Sequence, residues 1–170
     1  GDPDQKITLT SSPFNCLEAS FFYTSIQDKP YCTVEADPVC AQDYKDKGFN
    51  FKLRLKEEGA WPAIAIGIND IAGTGLYSSE YIVGSYGINK TDFHFGLGWG
   101  NLNGSKESFK NPFGNLSDSF YDRPDFLEDE GGQFQPSRYF SGETVSPFFG
   151  ITHVYNNRAS IKLEYDTTVT

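Results

Sequence analysis

The chain has 170 residues, enough for one domain with a real core, and a formal net charge of −9. That acidity argues against nucleic acid, which asks for a basic face, and against docking on an anionic bilayer through a basic patch. No run of about 18 apolar residues exists, so no transmembrane helix is expected; short alternating barrel strands stay open.

Met is absent from the sequence, which reads as a processed chain or a fragment. Residues 1–15 are polar, contain Pro3 and Pro13, and read as irregular. Residues 17–25 (LEASFFYTS) read as a strand, and residues 27–43 as a loop by their Pro and Asp content. The three cysteines, Cys16, Cys32 and Cys40, lie in this first quarter. No CxxC and no His at a zinc spacing accompanies them, so no metal site is expected. In an oxidising compartment Cys32 and Cys40 would pair across a short loop, with Cys16–Cys32 as the competing pairing.

Beyond residue 43 the alternation becomes clean. Phe49, Phe51, Leu53 and Leu55 oppose Asn50, Lys52, Arg54 and Lys56, a period of two and hence a strand. KEEGAWP supplies a turn. Ile64, Ile66 and Ile68 then oppose Ala63, Ala65 and Gly67. GINDIAGTGLYSSEY connects to a strand that sets Tyr81 and Val83 against Ser78 and Glu80. Phe93, Phe95, Leu97 and Trp99 oppose Asp92, His94, Gly96, Gly98 and Gly100. Residues 101–140, rich in Gly, Asn, Ser, Asp and Pro, form one long loop, a length that is usually functional or disordered. FFGITHVY, the tight turn NNR and ASIKLEYD close the pattern, the last with Ala159, Ile161, Leu163 and Tyr165 against Ser160, Lys162, Glu164 and Asp166. The fold expected is an all-β antiparallel meander of six to eight strands. Residues 1–43 hold an N-terminal strand and the Cys-bearing loop, and 44–170 the meander.

Such a pattern fits a soluble sandwich, with apolar faces inward, and a membrane barrel, with apolar faces outward. Bulky continuous apolar faces, Gly, Ala and Ser on the opposite faces, and Tyr and Trp near strand ends lean toward the barrel. Asp70, Glu80, Asp92, His94, Lys162 and Glu164 are the candidates for lumen or rim positions.

Candidate chemistry is sparse. Glu57, Glu58 and Asp70 offer carboxylates for glycoside cleavage, but Glu57 and Glu58 are neighbours and point apart if extended. GTG at Gly73 to Gly75 is no dinucleotide fingerprint, and no helix follows to present its N-terminus to phosphate. His94 and His153 sit in alternating strands without a nucleophile elbow. The acidic run Asp118, Asp122, Asp125, Glu128, Asp129 and Glu130 lacks the spacing of a Ca²⁺ loop. Aromatics of the long loop (Phe109, Phe113, Phe120, Tyr121, Phe126) would stack on sugar rings or fold back into a barrel mouth.

YKDKGFNFKLRLKEEG (44–59), PAIAIGINDIAGTGLYSSEYIVGSY (62–86) and DFHFGLGWGNL (92–102) resemble the YjbH family. These are Gram-negative outer-membrane β-barrel proteins linked to exopolysaccharide and capsule secretion. NPF (111–113), GGQF (131–134), RYFSGETVSPFFGI (138–151) and IKLEYD (161–166) continue the likeness in order. The Cys-bearing loop and an ending without a terminal aromatic depart from it. The resemblance implies an outer-membrane barrel, or a portion near the N-terminal part of a longer one. It implies a non-enzymatic role without a cofactor, and outer-membrane lipid, polysaccharide and other secretion-system proteins as partners. The alternative is a soluble envelope β-sandwich that binds carbohydrate.

Overall fold

The computed structural model describes residues 5–31, 42–104, 108–125 and 134–168. Nine strands follow in chain order: β1 (Gln5–Phe14), β2 (Leu17–Tyr31), β3 (Gln42–Lys56), β4 (Ala63–Ile71), β5 (Ser79–Ile88), β6 (Thr91–Gly100), β7 (Phe109–Lys110), β8 (Thr144–Asn156) and β9 (Ala159–Tyr165). All pairings are antiparallel. β1 to β6 pair with their sequence neighbours, β6 pairs with β8, and β8 pairs with both β9 and the two-residue β7. The expected all-β meander is therefore the fold, and the long loop adds β7 and three short 3₁₀ turns to it.

Two features of the N-terminal region differ from the expectation. Residues 5–14 are a strand, paired from Gln5↔Ser25 to Phe14↔Leu17, because Ile7 and Leu9 alternate with Lys6, Thr8 and Thr10. Pro13 misleads: it falls where the register slips between Ser11 and Phe14, a place where a missing N–H costs no ladder bond. β2 likewise runs on to Tyr31, with a register shift before Pro30. Cys32 and Cys40, and with them either disulfide pairing, lie outside the described residues; Cys16 is a free, exposed thiol.

Register sorts the side chains into two faces. On one face lie Phe51↔Ile68, Leu53↔Ile66, Ile66↔Ile82, Ile82↔Leu97, Phe95↔Phe149 and Ile151↔Leu163. This face is bulky and apolar, yet Leu55, Phe95 and Leu163 are 57–60 % exposed. On the other face lie Ser20↔Asn50, Lys52↔Gly67, Gly67↔Tyr81, Val83↔Gly96, Ser85↔His94 and Gly150↔Glu164. One open trough of about 410 Å³ touches both Lys52 of β3 and Glu164 of β9, so the sheet curls into a half-barrel with the small and polar face inside. No second sheet packs on either face among the described residues.

Small residues make the curl possible. A Cβ on Gly67 would collide with the Tyr81 ring, and one on Gly96 with the Phe148 ring. Tyr81 and Phe148 themselves meet edge to face at 6.2 Å. Large rings can occupy a concave surface only where the facing positions carry no side chain.

The two ends of the sheet differ. At one end the turns are short: residues 15–16, 57–62, 89–90 and 157–158. At the other end lie the connections 32–41, 72–78 and 101–143, all longer than the tightest of these turns and the last by far the longest.

Candidate functional site

The trough is built from residues of six strands, β3 to β6, β8 and β9. Ser85, His94, Gly150 and Glu164 form one register row across β5, β6, β8 and β9. His94 Nδ1 and Ser85 Oγ are 2.8 Å apart. Glu164 forms an ion pair with Lys162 at 2.6 Å, both half-exposed. Asn69 Nδ2 donates to Ser79 Oγ at 3.0 Å, and Asn50 Nδ2 to Ser20 Oγ at 3.2 Å. The inner wall is thus a mosaic of hydroxyl, amide, imidazole and carboxylate groups, with Tyr81 and Phe148 as its aromatic surfaces.

A serine next to a histidine invites comparison with a nucleophile and its base. The ladder argues against it. Ser85 and His94 are paired inside the sheet, where backbone N–H groups are committed to neighbouring strands, so no pair of free donors stands ready for an oxyanion. His153 is engaged similarly, its Nδ1 2.9 Å from Thr91 Oγ1. Glu57 pairs with Arg54 at 2.9 Å and Glu58 accepts from Gly87 N–H at 3.2 Å, both at the short-turn end. Asp70 lies at the opposite end, so these carboxylates share no cleft.

The structure separates the six expected lumen or rim residues into three settings. His94 and Glu164 line the trough. Asp92 and Lys162 belong to the same inner face but are exposed near the short turns. Asp70 and Glu80 are buried at the long-loop end, 3 % and 0 % exposed.

Glu80 shares its register row with Trp99, Phe51 and Ile68, on the apolar face. Its carboxylate is buried beneath the folded long loop. Arg123 donates to it twice, at 2.7 and 3.0 Å, and Phe140 N–H donates at 3.0 Å. The same guanidinium donates to Arg138 O (2.9 Å), Ser141 O (3.3 Å) and Ser78 Oγ (3.1 Å). Trp99, wholly buried, stacks on Phe113 at 5.6 Å and meets Phe140 edge on at 5.2 Å. Asn111, 1 % exposed, donates its amide to Phe120 O, Phe140 O and Gly142 O at 2.9–3.0 Å and accepts from Phe113 N–H. Arg138 donates to Pro124 O, and burial beside Arg123 holds its pKa below the ordinary arginine value. The described parts of the long loop therefore form a packed cap. Of its aromatics Phe113 and Phe120 fold inward, Lys110 lies 4.4 Å over the Tyr121 ring, Phe109 stays exposed, and Phe126 lies outside the described residues. Asp118, Asp122 and Asp125 are exposed; Glu128, Asp129 and Glu130 lie outside the described residues.

Asp70 lies near the end of β4, two residues past Ile68. It has φ 60°, a left-handed conformation that Asp tolerates better than most residues. There three residues of β4 oppose two of β3, a bulge that turns the Asp70 carboxylate onto the inner face. Its Oδ2 accepts from Tyr77 N–H at 3.1 Å, and its own N–H donates to Asn50 Oδ1 at 3.0 Å. Asp46 stands close enough for its charge to bear on Asp70. Asp46 Oδ1 accepts from Thr74 Oγ1 at 2.7 Å. The Gly-rich turn thus folds over an inward-facing carboxylate pair. Sequence reading placed Asp70 at the rim but missed Asp46, which stands within an unremarkable polar run, and Arg123 and Asn111, which carry no pattern of period two.

No solved structure matches the chain. A curated relative from Escherichia coli (strain K12), the "Uncharacterized lipoprotein YjbH", is 39 % identical over 155 residues, 90 % of this chain. The chain spans 22 % of that relative's length. The sequence profile described as "Exopolysaccharide biosynthesis protein YbjH" matches residues 1–169. With a profile match over nearly its whole length and this relative beside it, the chain belongs to the YjbH family.

Proposed function

We propose that this chain is a stretch of outer-membrane β-barrel wall that serves exopolysaccharide or capsule secretion without catalysing a reaction. The observation that carries the proposal is the two-faced single sheet. Phe51, Leu53, Leu55, Phe93, Phe95, Phe149, Ile161 and Leu163 stand 37–69 % exposed on one continuous face with nothing over them. A monomer in water rarely leaves so large an apolar surface bare, whereas a bilayer covers it. The opposite face, with its hydroxyl, amide and carboxylate groups and two aromatic surfaces, suits the hydroxyls and ring faces of a sugar chain. Short turns at one end and long connections at the other follow the usual asymmetry of such barrels, with the long-loop end outside the cell. The family's description supports an exopolysaccharide role, and the E. coli relative's name as a lipoprotein supports a cell-envelope location. Lipid, polysaccharide and other secretion proteins are the partners this reading calls for.

The test is fractionation of the full-length parent protein. Extraction of envelopes only with detergent, together with heat-dependent migration on a gel, supports the barrel. A protein that stays in solution without detergent and migrates alike before and after heating rules it out.

A further inference from the structure

We propose that Thr24, Asp46 and Asp70 form a binding site for a hard divalent cation of the Ca²⁺ type at the long-loop end of the sheet. Three adjacent strands supply one side-chain oxygen each, from β2, β3 and β4. Thr24 and Asp46 are direct register partners on the inner face. Cross-strand partners in a sheet have Cβ atoms roughly 5 Å apart. The β4 bulge brings Asp70 in from the third strand: a Cβ on Gly48 or on Gly73 would collide with its Oδ1. The same added atom at Gly73 would approach Lys47 O to 2.5 Å, so a backbone carbonyl stands beside the cluster.

Each of the three side chains is at least 97 % buried: Thr24 3 %, Asp46 0 % and Asp70 3 % exposed. Each also keeps one oxygen without a hydrogen-bond partner: Thr24 Oγ1, Asp46 Oδ2 and Asp70 Oδ1. The other oxygen of each carboxylate is fixed by the turn, through Thr74 and Tyr77. Of the cations nearby, the Arg138 guanidinium bears on the Asp70 carboxylate, as the smallest of the influences on it. Lys6 shares the row with Thr24, but its ammonium lies over the Phe22 and Tyr77 rings at 5.0 and 5.6 Å. Two buried carboxylates with unpartnered oxygens need a cation or a proton to be stable side by side. Two carboxylates, a hydroxyl and a carbonyl make an all-oxygen donor set, which selects Ca²⁺ or Mg²⁺ over softer metals, and the uneven spacing from three strands suits the more tolerant Ca²⁺. The glycines at 48 and 73 leave the room.

Tb³⁺ luminescence excited through tyrosine tests the proposal on the full-length protein in detergent, with CaCl₂ as competitor. Tyr77, hydrogen-bonded to Asp70, is the expected sensitiser. The expected result is a Tb³⁺ signal that Ca²⁺ displaces with half-effect near 10⁻⁴–10⁻³ M, the range of extracellular sites. Asp46→Asn and Asp70→Asn should each weaken it at least tenfold. Thr24→Val, which keeps shape and volume, should weaken it several-fold. Asp118→Asn, an exposed acid of the cap, should leave it unchanged. No Ca²⁺-displaceable signal in the wild-type protein overturns the proposal, as does a signal that survives in the Thr24→Val variant and either Asp variant. A neutral Asp70, Arg138 or Lys6 then balances the pair.

Discussion

Replacing Arg123 by Ala is the sharpest perturbation of the cap. The guanidinium makes two charge-assisted bonds to Glu80, at 2.7 and 3.0 Å, and three more to Arg138 O, Ser141 O and Ser78 Oγ. Glu80 is wholly buried, so Arg123→Ala leaves a carboxylate with Phe140 N–H as its remaining donor and no counter-charge. Breaking a buried pair by removing one partner costs about 3–5 kcal/mol. That cost falls on the closed cap and not on the ladder, because the bonds lost tie Arg123 to Glu80 and Ser78 and to the cap carbonyls of residues 138 and 141. Hydrogen exchange reads it at the amides of Phe140 and Gly142, whose donors bond Glu80 and Phe120 O. If the whole cost appears as local opening, exchange there accelerates roughly 150- to 5000-fold, while amides of β5 paired with β6 change little. The double replacement Glu80→Gln with Arg123→Met should recover most of the loss, since no buried charge is left bare. An acceleration below tenfold in the single variant, or equal acceleration in β5, would refute the claim that this ion pair fastens the cap.

Further predictions concern packing and lipid contact. Asn111→Ala removes the donor shared by three cap carbonyls and the side chain that caps the following 3₁₀ turn, and should cost about 2–4 kcal/mol of cap stability by the same exchange measurement. Asn111→Asp should be no better, because it turns the donor into an acceptor. Gly67→Ala drives a methyl into the Tyr81 ring and should lower stability by about 1–3 kcal/mol in thermal unfolding, with the loss shrinking when Tyr81→Leu is added. Phe95→Lys, at a position 60 % exposed, should reduce assembly into bilayers by about 2–4 kcal/mol if it faces lipid near the bilayer centre, while Ser85→Lys on the inner face should leave assembly nearly unchanged.

The ladder was legible because period-two alternation is a local signal. Phe49 to Lys56, Ala63 to Ile68 and Asp92 to Gly100 each show both faces within a few residues; the structure pairs the first two with each other and the third with β5 and β8. Pro13 and Pro30 obscured β1 and the end of β2, since a proline usually ends a strand and the register slips that accommodate these two are set by the partner strand. Tyr81 and Val83 looked like members of an apolar outer face, yet they line the trough, because the glycines opposite them make room that only the pairing reveals. The cap was the least legible part. Its order rests on Asn111, Arg123, Glu80 and Trp99, which are 12 to 43 residues apart in pairs and meet only when the loop folds back. Asp46 and Thr24 were illegible as neighbours of Asp70 for the same reason: two strands must pair and a third must bulge to bring them to one end of the sheet.

The central claim is that the apolar face meets lipid and the small, polar face meets water. Spin labels attached singly at residues 52–55 of β3 and 92–95 of β6, in a protein lacking Cys16, Cys32 and Cys40 and reconstituted in bilayers, test it directly. Oxygen, which concentrates in lipid, should relax the labels at 53, 55, 93 and 95, and a water-soluble nickel complex those at 52, 54, 92 and 94. Equal access of the nickel complex to both sets, or a pattern without the period of two, would contradict it.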